Sequence, residues 1–126
     1  EDNANPTINN CEVYKNIVGF FIRSNTSGLF DSCNVYDNED YGFFIEHNVS
    51  SKILGCKIYS NKIGFFIRER NTKGIPSPHI QNCEIYNHTE NAVCLMGNVS
   101  GCFENCNIFD NTGRAFSDFL FTGNMV

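Results

Sequence analysis

Cys33-Asn34-Val35-Tyr36-Asp37-Asn38, followed by Tyr41-Gly42-Phe43-Phe44-Ile45, returns one interval later as Cys56-Lys57-Ile58-Tyr59-Ser60-Asn61 and Ile63-Gly64-Phe65-Phe66-Ile67. The same phrase opens at Cys11, Cys83 and Cys106, so that five cysteines stand 22, 23, 27 and 23 residues apart. A period in this range marks a repeat architecture, in which each unit buries its apolar face only by stacking on its neighbours. Alignment on the cysteine fills further columns. Three residues before it stand Ile8, Phe30, Ile53, Ile80 and Phe103; two after it, Val13, Val35, Ile58, Ile85 and Ile108. Tyr14, Tyr36, Tyr59, Tyr86 and Phe109 come next, then Asn16, Asn38, Asn61, His88 and Asn111. A small residue follows (Gly19, Gly42, Gly64, Ala92, Ala115), leading into the triplets Phe20-Phe21-Ile22, Phe43-Phe44-Ile45, Phe65-Phe66-Ile67 and Val93-Cys94-Leu95.

These columns are short β-branched and aromatic runs separated by Asn, Gly and Ser, which is strand-and-turn grammar without a sustained helical period. About 22 residues are too few for two helices and two turns, and the Leu-x-x-Leu-x-Leu pattern of leucine-rich repeats is missing. Three short strands per repeat, coiled once around a common axis, fit the period. Cys-x-[Ile/Val]-Tyr-x-Asn followed by Gly-Phe-Phe-Ile resembles the repeat of the right-handed parallel β-helix family, the pectin lyase-like superfamily, over residues 7–118. The resemblance implies an all-β solenoid of about five coils. It implies no single function, because that superfamily holds lyases, hydrolases, adhesins, phage spikes and non-catalytic recognition domains.

Strand alternation assigns the faces. Cys11, Cys33, Cys56, Cys83 and Cys106 point inward as a core ladder, while Glu12, Asn34, Lys57, Glu84 and Asn107 point outward. Glycine ahead of each triplet is expected to supply the backbone angles of a sharp bend. In the triplets the outer residues face inward. Phe21, Phe44 and Phe66 are left as an apolar stripe flanked by Arg23, Glu46 and Arg68, whose charges alternate along the stack. Two readings stand for this stripe: an aromatic ladder that stabilises the sheet, or a lateral contact surface for another subunit, another domain or a sugar.

With seven cysteines, at least one thiol stays free unless it pairs with another chain. Neighbouring coils bring Cα atoms within the disulfide range of about 4.4–6.8 Å, but in-register parallel neighbours must twist to bridge. The ladder is therefore expected to hold buried thiols. Cys94, in the outward slot of its triplet, and Cys102, one residue before the Phe103 column, are the candidate disulfide pair. No C-x-x-C pair and no finger-like His spacing occur, so neither a metal nor another cofactor is expected.

Four sequons are present, at Asn25, Asn48, Asn87 and Asn98; Asn5 is followed by proline and drops out. Asn25, Asn48 and Asn98 share one place in the repeat, which Asn71 nearly joins. Turns favour asparagine without any sugar, because its short side chain bonds the local backbone. Covalent N-linked glycan would place the protein on a secretory route, secreted or at the cell surface. The net charge of −5 speaks against nucleic acid, and no apolar run is long enough to span a bilayer. The long third interval puts its extra residues in Arg68–His79, a solvated loop or a binding loop.

A carbohydrate-active enzyme would need converging carboxylates, or a base beside a Ca²⁺ site. Asp31, Asp37, Glu39, Asp40 and Asp110 lie in turns and match no family signature, and no threonine column suggests ice binding. The 126 residues are read as one domain, possibly a segment of a longer solenoid or a polymer subunit. No capping helix precedes the first coil or follows Phe116, Phe119, Leu120 and Phe121, and uncapped solenoid ends and open strand edges are templates for pairing. The leading expectation is a non-catalytic extracellular structural protein that self-associates end to end or laterally, as in a filament. The alternative is a module of a larger chain that recognises glycan or protein.

Overall fold

The computed structural model describes residues 5–23, 26–47, 49–69 and 74–121, with backbone alone from 117 onward. Fifteen strands form three parallel sheets. The first sheet stacks β1 (Thr7–Asn9), β4 (Leu29–Asp31), β7 (Lys52–Leu54), β10 (His79–Gln81) and β13 (Cys102–Glu104). The second stacks β2 (Glu12–Tyr14), β5 (Asn34–Tyr36), β8 (Lys57–Tyr59), β11 (Glu84–Tyr86) and β14 (Asn107–Phe109). The third stacks β3 (Val18–Ile22), β6 (Tyr41–Glu46), β9 (Ile63–Arg68), β12 (Val93–Gly97) and β15 (Phe116–Phe121). Every strand pairs with its equivalent one repeat away, giving a β-solenoid of stacked rungs with three strands per coil.

The register follows the sequence columns: Ile8, Phe30, Ile53, Ile80 and Phe103 are Cα partners in succession, as are Val13, Val35, Ile58, Ile85 and Ile108. Shifting a strand by one residue would turn its inward side chains into solvent, one in the first and second sheets and at least two in β6 and β9 of the third, which is why the pairing is specified. In the middle rungs the inward columns are sealed. Phe43, Phe65, Ile45, Ile67, Val35, Ile58, Ile53 and Ile80 have no solvent exposure, and each such side chain contributes roughly 1.5–3 kcal/mol.

Two corners of each coil are built alike, each from one residue in the left-handed region. The first corner takes Asn10, Ser32, Gly55, Asn82 and Asn105; the second takes Lys15, Asp37, Ser60, Asn87 and Asp110, all with φ between 53° and 61°. Asn and Asp visit this region most easily among residues with a Cβ, which accounts for the asparagine before Cys11, Cys83 and Cys106; glycine serves before Cys56. The corner amides stay in the rung-to-rung ladder: Asn10 N–H donates to Asp31 O at 3.0 Å, and Ser32 N–H to Leu54 O at 2.9 Å.

The glycine ahead of each triplet has another cause than the bend expected from the sequence. Gly42 and Gly64 lie outside the left-handed region. A Cβ on Gly64 would stand 2.6 Å from Ala92 O and 2.8 Å from His88 Nε2; on Gly42 it would stand 2.8 Å from Gly64 O and from an Ile58 methyl carbon. Close approach of successive rungs excludes the side chain, not the backbone angle.

The third corner closes on Thr26, Val49, Pro76 and Val99, all buried. Ser50 N–H donates to Thr26 O, Ser77 N–H to Val49 O and Ser100 N–H to Pro76 O. Pro76 therefore stands where Val49 and Val99 stand, and Ile75, rather than Asn71, occupies the place before it. The insertion falls between Arg68 and Ile75. Proline is tolerated there because the equivalent amide, Val49 N–H, bonds only its own turn at His47 O. No helix of the described residues is long and apolar enough to cross a membrane.

Candidate functional site: flanks and ends of the solenoid

The cysteine ladder points inward as alternation requires. Cys33, Cys56 and Cys83 are buried, and their thiols donate to strand carbonyls, Cys33 Sγ to Asp31 O at 3.6 Å and Cys83 Sγ to Gln81 O at 3.3 Å. Thiol-to-thiol bonds with Cys106 and Cys56, then burial, push Cys83 up; burial pushes Cys33 up. Cys33 and Cys83 are thus inert protonated thiols, whereas the bond to Cys83 pulls Cys56 down and Cys106 down to about 6. At the two ends the column opens: Cys11 is exposed and Cys106 half-buried.

The expected Cys94–Cys102 bridge is absent, and none of the seven cysteines is joined in a disulfide. Cys94 is the in-register partner of outward Phe66 on the third sheet, and Cys102 is that of exposed His79 on the first. They face away from the core on different flanks of the coil, a geometry no disulfide spans.

On the third flank the phenylalanine stripe stacks on itself. Phe21 and Phe44 centroids lie 4.7 Å apart at 13°, and Phe44 and Phe66 lie 5.2 Å apart at 25°. Ring faces are thus consumed by neighbouring rungs and ring edges point outward, leaving little face for a sugar. Arg23 lies 5.2 Å over Phe21 and Arg68 lies 4.9 Å over Phe44. Glu46 is a correction to the sequence reading. Its carboxylate is fully buried, because the two arginines close over it, Arg68 Nε to Oε2 at 2.9 Å and Arg23 Nη1 to Oε1 at 3.8 Å. The alternating charges are therefore a roofed ion triad in which only the arginines reach solvent.

A second aromatic ladder runs along the second sheet. Tyr14, Tyr36, Tyr59, Tyr86 and Phe109 stack at 4.9–5.1 Å with planes within 9°. Alternation from the inward Val/Ile column places this column outward, a face not assigned to it above. Tyr36 Oη donates to Glu12 Oε1 at 2.7 Å, and this bond to the carboxylate raises the phenol to about 12.

In the asparagine column Asn38, Asn61 and His88 are buried, while Asn111 is half-buried and Asn16 exposed. Asn16 N–H donates to Asn38 Oδ1 at 3.1 Å, Asn38 N–H to Asn61 Oδ1 at 3.0 Å, Asn61 N–H to His88 Nδ1 at 3.2 Å and His88 N–H to Asn111 Oδ1 at 3.0 Å. Each side-chain nitrogen donates back to a strand carbonyl of the preceding rung. Asn38 Nδ2 reaches Val13 O, Asn61 Nδ2 reaches Val35 O, His88 Nε2 reaches Ile58 O and Asn111 Nδ2 reaches Ile85 O. His88 is thus a neutral imidazole with its proton on Nε2, and burial pulls it down to about 4.

Of the sequon asparagines, Asn87 is exposed on the second corner and Asn98 is half-buried, its N–H donating to Glu69 Oε1 at 3.3 Å. Asn25 and Asn48 lie outside the described residues. The acidic candidates remain dispersed: Asp37 and Asp110 sit at second corners three rungs apart, and Asp31 at the end of β4. Asp37, Glu39 and Lys15 border a shallow open depression of about 460 Å³ beside Ile17 and Ser60. No group of three His, Cys, Asp or Glu side chains placed to hold a metal occurs among the described residues.

The family model for a right-handed beta helix region matches residues 1–75. Comparisons with curated proteins and with solved structures gave no match. The matched stretch ends after the third rung, and the two rungs beyond it repeat the same registers and corners. The chain belongs to the right-handed β-helix family.

Proposed function

We propose that the chain is a non-catalytic structural module of an extracellular assembly, in which its first and last rungs stack on further rungs, of the same polypeptide or of a second copy. One observation carries this reading. The inward columns that are sealed in the middle rungs open at both ends: Ile8, Val13 and Phe20 on one side, Phe103, Cys106 and Ile108 on the other, are only partly buried. The outermost strands there, β1 and β2 at one end and β13 and β14 at the other, present edges able to pair with a further rung. Exposed apolar columns next to open strand edges are the two elements of β-sheet association, one giving affinity and the other register. An extracellular setting is supported by the sequons, above all the exposed corner at Asn87.

Sedimentation and electron microscopy of the purified chain test the assembly. Oligomers or filaments whose width is that of one solenoid are expected. A monomer at every concentration would overturn stacking between copies. Turnover on a panel of polyuronates and neutral glycans would overturn its non-catalytic part.

A further inference from the structure

Four of the five tyrosines lie in one ladder on the second flank, and one of the four differs from the rest. Tyr36 stands between Tyr14 and Tyr59, at 5.1 and 4.9 Å, with planes 9° and 3° apart. Both faces of its ring are therefore covered. What is left to solvent is the edge that carries the hydroxyl and its two ortho carbons. The hydroxyl donates to Glu12 Oε1 at 2.7 Å, and Glu12 is exposed. Among the described residues no other tyrosine hydroxyl bonds a carboxylate. Tyr41, the fifth, lies on the third flank against Phe44 and Phe66.

A phenol gives up an electron readily only when its proton leaves in the same step, since the radical cation otherwise formed is of high energy. A base within hydrogen-bond reach takes that proton. At Tyr36 the base is in place: the electron passes to an oxidant, the proton moves from Oη to Glu12 Oε1, and a neutral phenoxyl radical remains. The same bond holds the phenol protonated at neutral pH, so the phenolate contributes nothing there. Stacking then decides what the radical can join. The carbon–carbon bond between two coupled tyrosines links their ortho carbons and lies in the plane of each ring. Tyr14 and Tyr59 lie above and below the Tyr36 ring, in near-parallel planes, where no in-plane bond reaches them. Coupling is left to a ring edge on another copy.

We infer that Tyr36 is a site of oxidative cross-linking, at which a one-electron oxidant of the peroxidase class, supplied with hydrogen peroxide, joins two copies of the chain through their second flanks, with Glu12 taking the phenol proton. The step balances. Each of two phenols gives one electron and one proton, and the two radicals form one ortho–ortho carbon–carbon bond. The two ring hydrogens at that bond return to the phenol oxygens, and one hydrogen peroxide becomes two waters. The link joins flanks and needs no stacking of rungs between copies, so it goes beyond the assembly proposed above.

Photo-oxidation of the full chain by a ruthenium tris-bipyridine complex with persulfate tests this, because that one-electron oxidant needs no docking site. Reachable thiols are alkylated beforehand, so that no disulfide forms. The expected product is a covalent dimer that survives reductant, shows dityrosine fluorescence and is joined at Tyr36 by peptide mass spectrometry. Glu12→Gln keeps an acceptor for the hydroxyl but removes the base. It should slow cross-linking near neutral pH by about tenfold or more and shift the bond to Tyr14, at 46% the most exposed of the tyrosines. The wild-type rate should stay nearly level between pH 6 and 8, while that of the variant rises with pH as phenolate appears. Bonds at Tyr14 or Tyr41 ahead of Tyr36 in the wild type, or a Glu12→Gln chain that keeps both rate and site, would overturn the proposal. An intrachain bond from Tyr36 to Tyr14 or Tyr59 would overturn the geometry beneath it. Should Glu12→Gln fail to fold, Tyr36→Phe serves, since it retains the stacked ring: most of the cross-linking should vanish, and an undiminished yield would count against Tyr36.

Discussion

Replacing His88 with asparagine completes the buried polar column and removes its one titratable member. At neutral pH the change costs little, because Asn Oδ1 and Nδ2 can take over the bonds from Asn61 N–H and to Ile58 O that the imidazole makes, as Asn38 and Asn61 do in the rungs before it. A cost of about 1 kcal/mol is expected for the smaller side chain in a packed site. In acid the balance reverses. The histidine carries a proton below about 6.5 in the unfolded chain but only below about 4 in the folded one, since burial disfavours the cation. Between these values the unfolded state binds more protons, so stability falls as pH falls, by at most about 1.4 kcal/mol per pH unit and roughly 3 kcal/mol in all. A protonated Nδ1 would also lose its acceptor role toward Asn61 N–H. The assay is urea unfolding followed by tyrosine fluorescence, the chain having no tryptophan, on both proteins from pH 7.5 to 4.5. Carboxylates titrate in both, so the difference isolates His88: wild type slightly ahead at pH 7.5, the asparagine variant ahead by about 2 kcal/mol at pH 4.5. Parallel pH profiles within about 0.5 kcal/mol would refute the buried neutral imidazole.

The remaining predictions probe the other columns. Gly42→Ala sets a Cβ 2.8 Å from Gly64 O and should destabilise by about 1–3 kcal/mol in the same assay; a neutral result would show that rung spacing is not limiting there. In the ion triad, Arg68→Ala should cost more than Glu46→Ala. The first leaves a buried carboxylate short of its 2.9 Å partner, whereas the second leaves two arginines that already reach solvent. The opposite order of unfolding midpoints would contradict the roofed geometry. Glu12→Gln should bring the Tyr36 phenol down from about 12 toward 10, read by ultraviolet absorbance during alkaline titration; an unchanged profile would place the cause elsewhere. Native thiol labelling should modify Cys11 and spare Cys33, Cys56 and Cys83 until denaturant is added.

Repeat sequences expose their fold because each position is stated several times. The inward columns, the parallel register and the outward Phe21–Phe44–Phe66 stripe follow from alternation around one cysteine, and a single coil would have been ambiguous. What alternation could not show is depth. Glu46 reads as surface because it is polar, yet it is buried, because the arginines before and after it in the stack close over it; Asn38, Asn61 and His88 are buried as well, because each satisfies backbone groups of the preceding rung. Such burial depends on partners one repeat away, at a separation where a polar residue in one coil carries no local mark. The Cys94–Cys102 pairing failed for a related reason. Proximity in sequence brought the two together, while the turn at Gly97–Gly101 carries them onto different faces. Gly42 was located correctly and explained wrongly, since close approach and left-handed geometry both select glycine.

The departures from the repeat show which column properties the fold requires. Gly55 replaces Asn or Ser at a first corner, where left-handed backbone is the requirement; Pro76 replaces Val at the third, where apolar bulk without an N–H bond to the next rung is enough. His88 replaces Asn only because a neutral imidazole offers one acceptor and one donor at the same two places. Each substitution preserves what a rung presents to the next rung, and none needs to preserve what it presents to solvent. The outward column Glu12, Asn34, Lys57, Glu84, Asn107 accordingly varies in charge while the axial contacts repeat.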